Sequence, residues 1–139
     1  MVTSKPDSPS VAASTPVLEE LLAREPLFHR RELVSSRGDF DRETAQDFWE
    51  VGASGRRYCR EDVWAALAPR YSTGPEDEYV TGDWQITDAE LRRVAADAYL
   101  LTYELQQGDR RTRRLTVWQG GAGVGWKALY HQGTIVDSD

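Results

Sequence analysis

Cysteine is almost absent from this 139-residue chain: there is one, Cys59. That excludes an internal disulfide and any zinc site assembled from several thiolates, and it makes a reducing cytoplasm the expected location. Histidine is equally scarce, with only His29 and His131; these two and one cysteine make no ligand spacing, so no metal is expected. No apolar run approaches the roughly 20 residues that cross a bilayer, because charges interrupt the apolar clusters every few positions, and no membrane partner is expected. Basic charge is in deficit. Seventeen Lys and Arg stand against 23 Asp and Glu, a net charge of −6, which repels polyphosphates and anionic lipid and argues against nucleic acid as a partner. The chain has no G-x-G-x-x-G, P-loop, H-E-x-x-H, C-x-x-C or G-x-S-x-G motif, so no cofactor is expected, and nothing repeats with a period of about 20–50 residues.

What is present suffices for one domain. Apolar residues make up 40% of the chain and include 5 Trp, 6 Tyr and 3 Phe, enough large side chains for a core in a chain of this length. Residues 1–16, rich in Ser, Pro and Ala, lack the basic end and apolar segment of a secretory signal and read as a disordered tail. The domain is expected over 17–136, with 137–139 as a short C-terminal tail.

Thr15 and Pro16 make a helix start, an N-cap hydroxyl followed by proline at the first helical position, and Val17, Leu18, Leu21, Leu22 and Phe28 recur at helical spacing. This predicts a helix to about Arg30, kinked near Pro26. A short helical turn is expected over Asp39–Thr44, a strand over Gln46–Val51 ending in the Gly52-Ala53-Ser54-Gly55 turn, and an amphipathic helix over Glu61–Ala68 stopped by Pro69. After Pro75 the period becomes two. Four extended segments, Trp84–Val94, Asp97–Gln106, Thr112–Gln119 and Trp126–Val136, are punctuated by Gly108-Asp109 and by the run Gly120–Gly125, predicting an antiparallel meander. Helices followed by such a sheet define an α+β domain.

Two stretches are more specific: DFWEVGASGRRYCREDVWAAL, Asp47–Leu67, and GWKALYHQGTIV, Gly125–Val136. Together they resemble a bacterial branch of the nuclear transport factor 2-like superfamily, a domain-of-unknown-function group related to the SnoaL-like polyketide cyclases and to ketosteroid isomerase. The resemblance spans nearly all of 17–136. It implies a cone, with helices closing one side of a strongly curved antiparallel sheet around a cavity, and a homodimer formed through the outer sheet face. It does not carry over a catalytic set: the isomerase's tyrosine and two carboxylates find no secure match, and the cyclase-type Asp and His have only a loose parallel in Glu50 and His131. This cone serves enzymes, binding modules and association domains alike.

Glu50 and His131 are the candidate catalytic residues. An imidazole titrates near neutrality, and a carboxylate between Trp49 and Val51 has its pKa raised if it points inward without a cation. The ordinary alternatives are a structural histidine and a carboxylate paired with Arg56, Arg57 or Arg60. Strand alternation puts His131 with Lys127 and Leu129, and Tyr130 and Gln132 with Trp126 and Ala128, leaving open which face looks inward. Trp49, Tyr58, Trp64, Tyr103, Trp118 and Gln132 are the candidate ligand-binding residues, the aromatics also being needed for the core. Ser54 reads as a turn residue, Cys59 as an inert small hydrophobe, and Arg110, Arg111, Arg113 and Arg114 as a solvated, salt-bridged hairpin. Three functions follow: a small organic molecule bound in the cavity without turnover; a cofactor-independent cyclase, isomerase or dehydratase using Glu50 and His131; or an association module with a filled cavity.

Overall fold

The computed structural model describes residues 15–72 and 84–137; of the tail expected over 1–16, residues 1–14 lie outside them, as do the last two residues of the chain. Helix α1 covers Thr15–Leu22, α2 Arg37–Glu43 and α3 Arg60–Ser72. The strands are β1 Thr44–Val51, β2 Arg57–Cys59, β3 Gln85–Ala95, β4 Ala98–Gln107, β5 Arg110–Gly121 and β6 Gly125–Ile135. They form one sheet in the order β2-β1-β6-β5-β4-β3. All neighbours are antiparallel except β1 and β6, which run parallel. Among the described residues, three helices on a six-stranded, mostly antiparallel sheet make the α+β cone expected.

The inner face of β4 carries Tyr99, Leu101, Tyr103 and Leu105 into the core, and β5 adds Thr112, Thr116 and Trp118, the alternation that a one-sided sheet requires. From the helices, Val17 and Leu21 of α1, Phe40 of α2 and Val63, Leu67 and Tyr71 of α3 close over that face. Two polar contacts fix α1 and the turn after it: Trp126 Nε1 donates to Glu20 at 2.8 Å, and Arg24 grips Glu43 through one nitrogen at 2.6 and 2.7 Å.

Three elements depart from the sequence reading. The first helix ends at Leu22 rather than near Arg30, and residues 23–34 form successive turns. Pro26 has no amide hydrogen to donate and disfavours helical backbone at Glu25, so Arg24 and Glu25 donate to carbonyls three residues back and the chain turns inward. By contrast, α3 runs through Pro69 to Ser72. Only one intrahelical bond is lost there, and the last turn is held by Ser72 Oγ donating to the Pro69 carbonyl at 2.8 Å and by buried Tyr71 donating to the Phe28 carbonyl at 2.8 Å. Finally, Cys59 ends a short edge strand, β2, that pairs with β1 at Trp49, Glu50 and Val51; three residues are too few for a periodic signal.

The glycine run does form the β5–β6 hairpin, as expected. Its strand base contains a β-bulge: Val117 pairs with Tyr130 and Trp118 with Ala128, leaving Leu129 without an opposite residue. One extra residue reverses the alternation of β6 at that point. Trp126 and Ala128 face inward before it, His131 and Gly133 after it. His131 therefore shares the inner face with Trp126 and Ala128, not with Lys127 as simple alternation gave.

Candidate functional site

Between the inner sheet face, α3 and the loop after α1 lies a cavity of about 460 Å³. Its apolar wall is built by Leu27, Phe28, Val63 and Leu67, with Tyr58 of β2 beside them. Phe28 adopts φ 71°, a left-handed conformation that is strained for a bulky residue. It is over-determined by the Tyr71 bond to its carbonyl and by ring contacts with Phe40 and Phe48 at 5.4 and 5.8 Å. This holds His29, next along the chain, on the cavity wall.

The sheet contributes the polar wall: Glu50 from β1, His131 from β6, and Thr112 and Arg114 from β5. Glu50 and His131 are direct register partners across the parallel β1–β6 pair, and Thr116 follows opposite His131 on β5. In the adjacent row Arg114 stands between Tyr103 and Gly133. A Cβ on Gly133 would lie 3.8 Å from Arg114 Cγ, an ordinary contact, so the two rows pack closely here without the position requiring glycine. Exposed Arg110, with Gln107 and Arg70, lies at the solvent side.

Burial governs the protonation of this wall. It raises the Glu50 carboxyl above its ordinary pKa, opposed by the Arg114 charge. It pushes His131 well below the usual imidazole value, aided by Arg114 and His29, and lowers His29 to about 3. Both histidines are thus neutral at physiological pH. Thr116 Oγ1 lies 2.8 Å from His131 Nδ1, whereas Nε2 of this buried ring has no hydrogen-bond partner.

Behind the wall sits Glu25, fully buried. Its Oε1 accepts from Tyr103 Oη at 2.5 Å and from the Leu27 amide at 3.0 Å, and its Oε2 from Trp118 Nε1 at 3.0 Å. Desolvation raises its pKa; the hydrogen bonds from Tyr103 and Trp118, the nearby Thr116 hydroxyl and the charge of Arg114 act against that rise.

The sequence-predicted residues are distributed as follows. Glu50, His131 and Tyr58 line the cavity. Trp118 and Tyr103 lie behind it as donors to Glu25, and Trp64 packs on Phe40 and Tyr71 at 5.4 and 6.1 Å. Trp49 is on the outer face, stacked on Tyr130 at 4.6 Å and covered by the Arg57 guanidinium at 4.3 Å. Gln132, also outward, accepts a hydrogen bond from Tyr130 and borders a second depression with Thr102 and Leu115. The arginines weighed as partners for Glu50 are engaged elsewhere: Arg56 over Tyr58, Arg57 over Trp49, and Arg60 with Asp41 and Thr44. The cation that acts on Glu50 is Arg114, one of the cluster read as a solvated hairpin. Arg111 and Arg113 fit that reading, both pairing with Glu104. Sequence reasoning missed Glu25, Arg114 and His29. Parity offered a signal for Arg114, which alternates in step with Thr112, Thr116 and Trp118. Among the described residues no three His, Cys, Asp or Glu side chains are grouped to hold a metal ion, and no helix is long and apolar enough to cross a membrane.

The architecture is the nuclear transport factor 2-like cone, and solved structures bear this out. The chain is similar to a provisionally assigned ketosteroid isomerase from Parabacteroides distasonis, at TM-score 0.62 and 14% identity over 87% of this chain and 89% of that one. A nuclear transport factor 2-like protein from Cytophaga hutchinsonii superposes at 0.57 and 14% identity, covering 93% of this chain and 99% of that one. A cystatin-like-fold protein from Caulobacter vibrioides superposes at 0.64 and 16% identity, covering 91% and 92%. No family model matches the sequence, and no curated protein does. At these identities the likeness establishes the fold.

Proposed function

We propose that this protein binds a small organic molecule in the cone cavity. The observation that carries the reading is a cavity of about 460 Å³ with one apolar wall and one polar wall formed by Glu50, Arg114 and His131. Its size falls within the roughly 300–1,000 Å³ of small-molecule sites, and its few convergent polar groups are the kind that orient a ligand. An association module with a side-chain-filled cone is disfavoured by the same open space.

A second reading, a cofactor-independent cyclase, isomerase or dehydratase, is favoured by one observation: Glu50 and His131 are register partners whose pKa values burial moves in opposite directions. A carboxyl that holds its proton more tightly than usual and an imidazole that stays neutral, side by side, are the kind of pair proton-transfer chemistry uses. In such a reaction Nε2 would take a proton from the bound molecule and Glu50 would return one elsewhere on it.

We further propose a homodimer in the cytoplasm, joined through the outer sheet face. Leu100, Val117, Tyr130 and Trp49 form one continuous row across β4, β5, β6 and β1 on that face, all of them half-buried in the single chain.

Native mass spectrometry of protein purified from its own host tests binding. A retained organic molecule is expected in the wild type and is lost in Ala66→Phe, which fills the cavity from α3; retention in Ala66→Phe overturns the cavity assignment. For an identified ligand that is turned over, unchanged turnover in both Glu50→Gln and His131→Ala rules out the acid/base reading.

A further inference from the structure

Away from the cavity, arginines are matched to carboxylates. Arg24 is held by Glu43, Arg37 by Glu61 and Arg42 by Asp39, while Arg111 and Arg113 both reach Glu104. The cavity is built differently. Three guanidinium groups line it, Arg70 from α3 and Arg110 and Arg114 from β5, and the single acid on its lining is Glu50. Among the described residues Glu50 takes part in no ion pair or hydrogen bond, and neither does the Arg110 guanidinium. Even with Glu25 behind the wall counted, two carboxyls stand against three cations, in a chain whose net charge is −6.

The cations are also ordered along the site. Arg110, Thr112 and Arg114 alternate onto the inner face in step with buried Thr116 and Trp118, which sets the two arginines roughly 13 Å apart along one row of β5. Arg110 is at the exposed end, beside the hairpin turn; Arg114, half-buried, stands further in, level with Tyr103 and Gly133. Arg70, in the last turn of α3, reaches the solvent side from the helical layer. Guanidinium groups keep their charge and only donate, in a planar fork that matches a carboxylate, and low-dielectric walls leave their field poorly screened. A molecule entering here meets cations at the solvent side and Phe28, Val63 and Leu67 along the opposite wall.

We propose that the molecule this cavity takes is an organic carboxylate, with its charged group at the solvent side between Arg110 and Arg70 and its apolar body directed inward against Phe28, Val63 and Leu67. The inference rests on the cavity reading above and deepens it, assigning the ligand its charge and its direction in the site. Arg110 and Arg70 are the specificity-determining residues. A neutral molecule of the same shape offers them no charge to pair with, and an amine is repelled.

Isothermal titration with two series of matched probes tests this: octanoate, octanol and octylamine for a linear body, and phenylacetate, phenethyl alcohol and phenethylamine for an aromatic one. In at least one series the carboxylate is expected to bind about tenfold or more tighter than the alcohol, the margin of a hydrogen bond to a charged group, with the amine weakest. Arg110→Gln should remove most of that margin and leave the affinity for the alcohol in place. Arg111→Gln, which gives up only the contact with Glu104, should leave the margin intact. Carboxylates that bind no tighter than the alcohols in both series, or that do not bind at all, overturn the inference, as does a margin that survives Arg110→Gln and Arg70→Gln combined. Ala66→Phe separates this result from the cavity reading. Equal binding of acid and alcohol, both lost in Ala66→Phe, removes the anion preference and keeps the cavity; a carboxylate preference retained in Ala66→Phe puts the binding elsewhere and removes both.

Discussion

Glu50 and His131 face each other across the only parallel strand pair of the described sheet, and neither satisfies the other: His131 bonds backward to Thr116, and no direct hydrogen bond joins its outward nitrogen to the carboxyl. Both lie on the polar side of a cavity whose other wall includes Phe28, Val63 and Leu67. A fold selected for stability alone satisfies such groups internally, since an orphaned buried polar atom costs about 1–3 kcal/mol.

Arg114 is the common electrostatic influence on this wall, lowering the pKa of Glu25, Glu50, His29 and His131 alike. Replacing it with Met removes a positive charge that favours deprotonation at every one of them. Both the Glu50 carboxyl and the His131 ring should titrate at higher pH in Arg114→Met, and close to their wild-type values in Arg114→Lys. Carboxyl ¹³C and imidazole ¹⁵N titrations read the shifts; a fall in either pKa refutes the assignment.

The buried histidines give stability a defined pH dependence. Their folded pKa values are depressed, His29 to about 3, so below about pH 6.5 the unfolded chain takes up protons that the folded chain does not. Their contribution is complete above about pH 6.5 and declines with acidification, down to about pH 3 for His29. The raised carboxyls of Glu25 and Glu50 act with the opposite sign, since above their ordinary value the folded state holds protons that the unfolded chain releases. Urea unfolding between about pH 5 and 6 should show His29→Gln losing stability less steeply than the wild type, by up to about 1.4 kcal/mol per pH unit. Parallel curves for the two proteins would contradict a neutral buried His29.

Glu25 is predicted to be the most sensitive polar position. Glu25→Ala leaves the Tyr103 hydroxyl, the Trp118 indole and the Leu27 amide without their acceptor, a loss of about 3 kcal/mol or more. Tyr103→Phe removes one of these donors and leaves the carboxylate with the others, for about 1–2 kcal/mol. The order of the two urea midpoints checks this, and a Tyr103→Phe protein less stable than Glu25→Ala would reverse the hierarchy.

Gly120 and Gly123 separate two ways in which a glycine matters. Both have positive φ, 144° and 75°, but a Cβ at Gly120 would lie 1.9 Å from the Gly125 carbonyl oxygen, whereas at Gly123 nothing lies within 4 Å. Gly123→Ala should cost about 1 kcal/mol of backbone strain. Gly120→Ala must displace backbone at the base of the hairpin and should cost several times as much, measured by thermal or urea unfolding.

The elements were legible where local chemistry decides them. Period-two apolar spacing located β3 to β6, Gly108-Asp109 and the glycine run located their turns, and the α+β class followed from helices preceding a meander, whereas the cone was implied by the resemblance carried by Asp47–Leu67 and Gly125–Val136. The site was legible only in part. Glu50 and His131 stand out by residue type and flanking apolar residues. The facing of His131 does not, because parity along β6 is reset at Leu129 by a bulge that only the β5 register reveals. Glu25 has no local signal at all: its side-chain partners Tyr103 and Trp118 come from strands far along the chain. Arg114 was hidden by its company, since three neighbouring arginines suggested solvent while only its parity with Trp118 marked the interior.

The order β2-β1-β6-β5-β4-β3 has a consequence for biosynthesis. The strand made last lies not at an edge but in the middle of the sheet, joining the earliest strands to the rest. During translation β1, with Glu50, has no partner on its inner side until β6 clears the ribosome, and the hairpins β3–β4 and β4–β5 can form well before then. The nascent chain therefore passes through a stage with an assembled meander and a β1–β2 portion not yet joined to it. The cavity arises in a single late event that sets Glu50, His131 and Arg114 on one wall together.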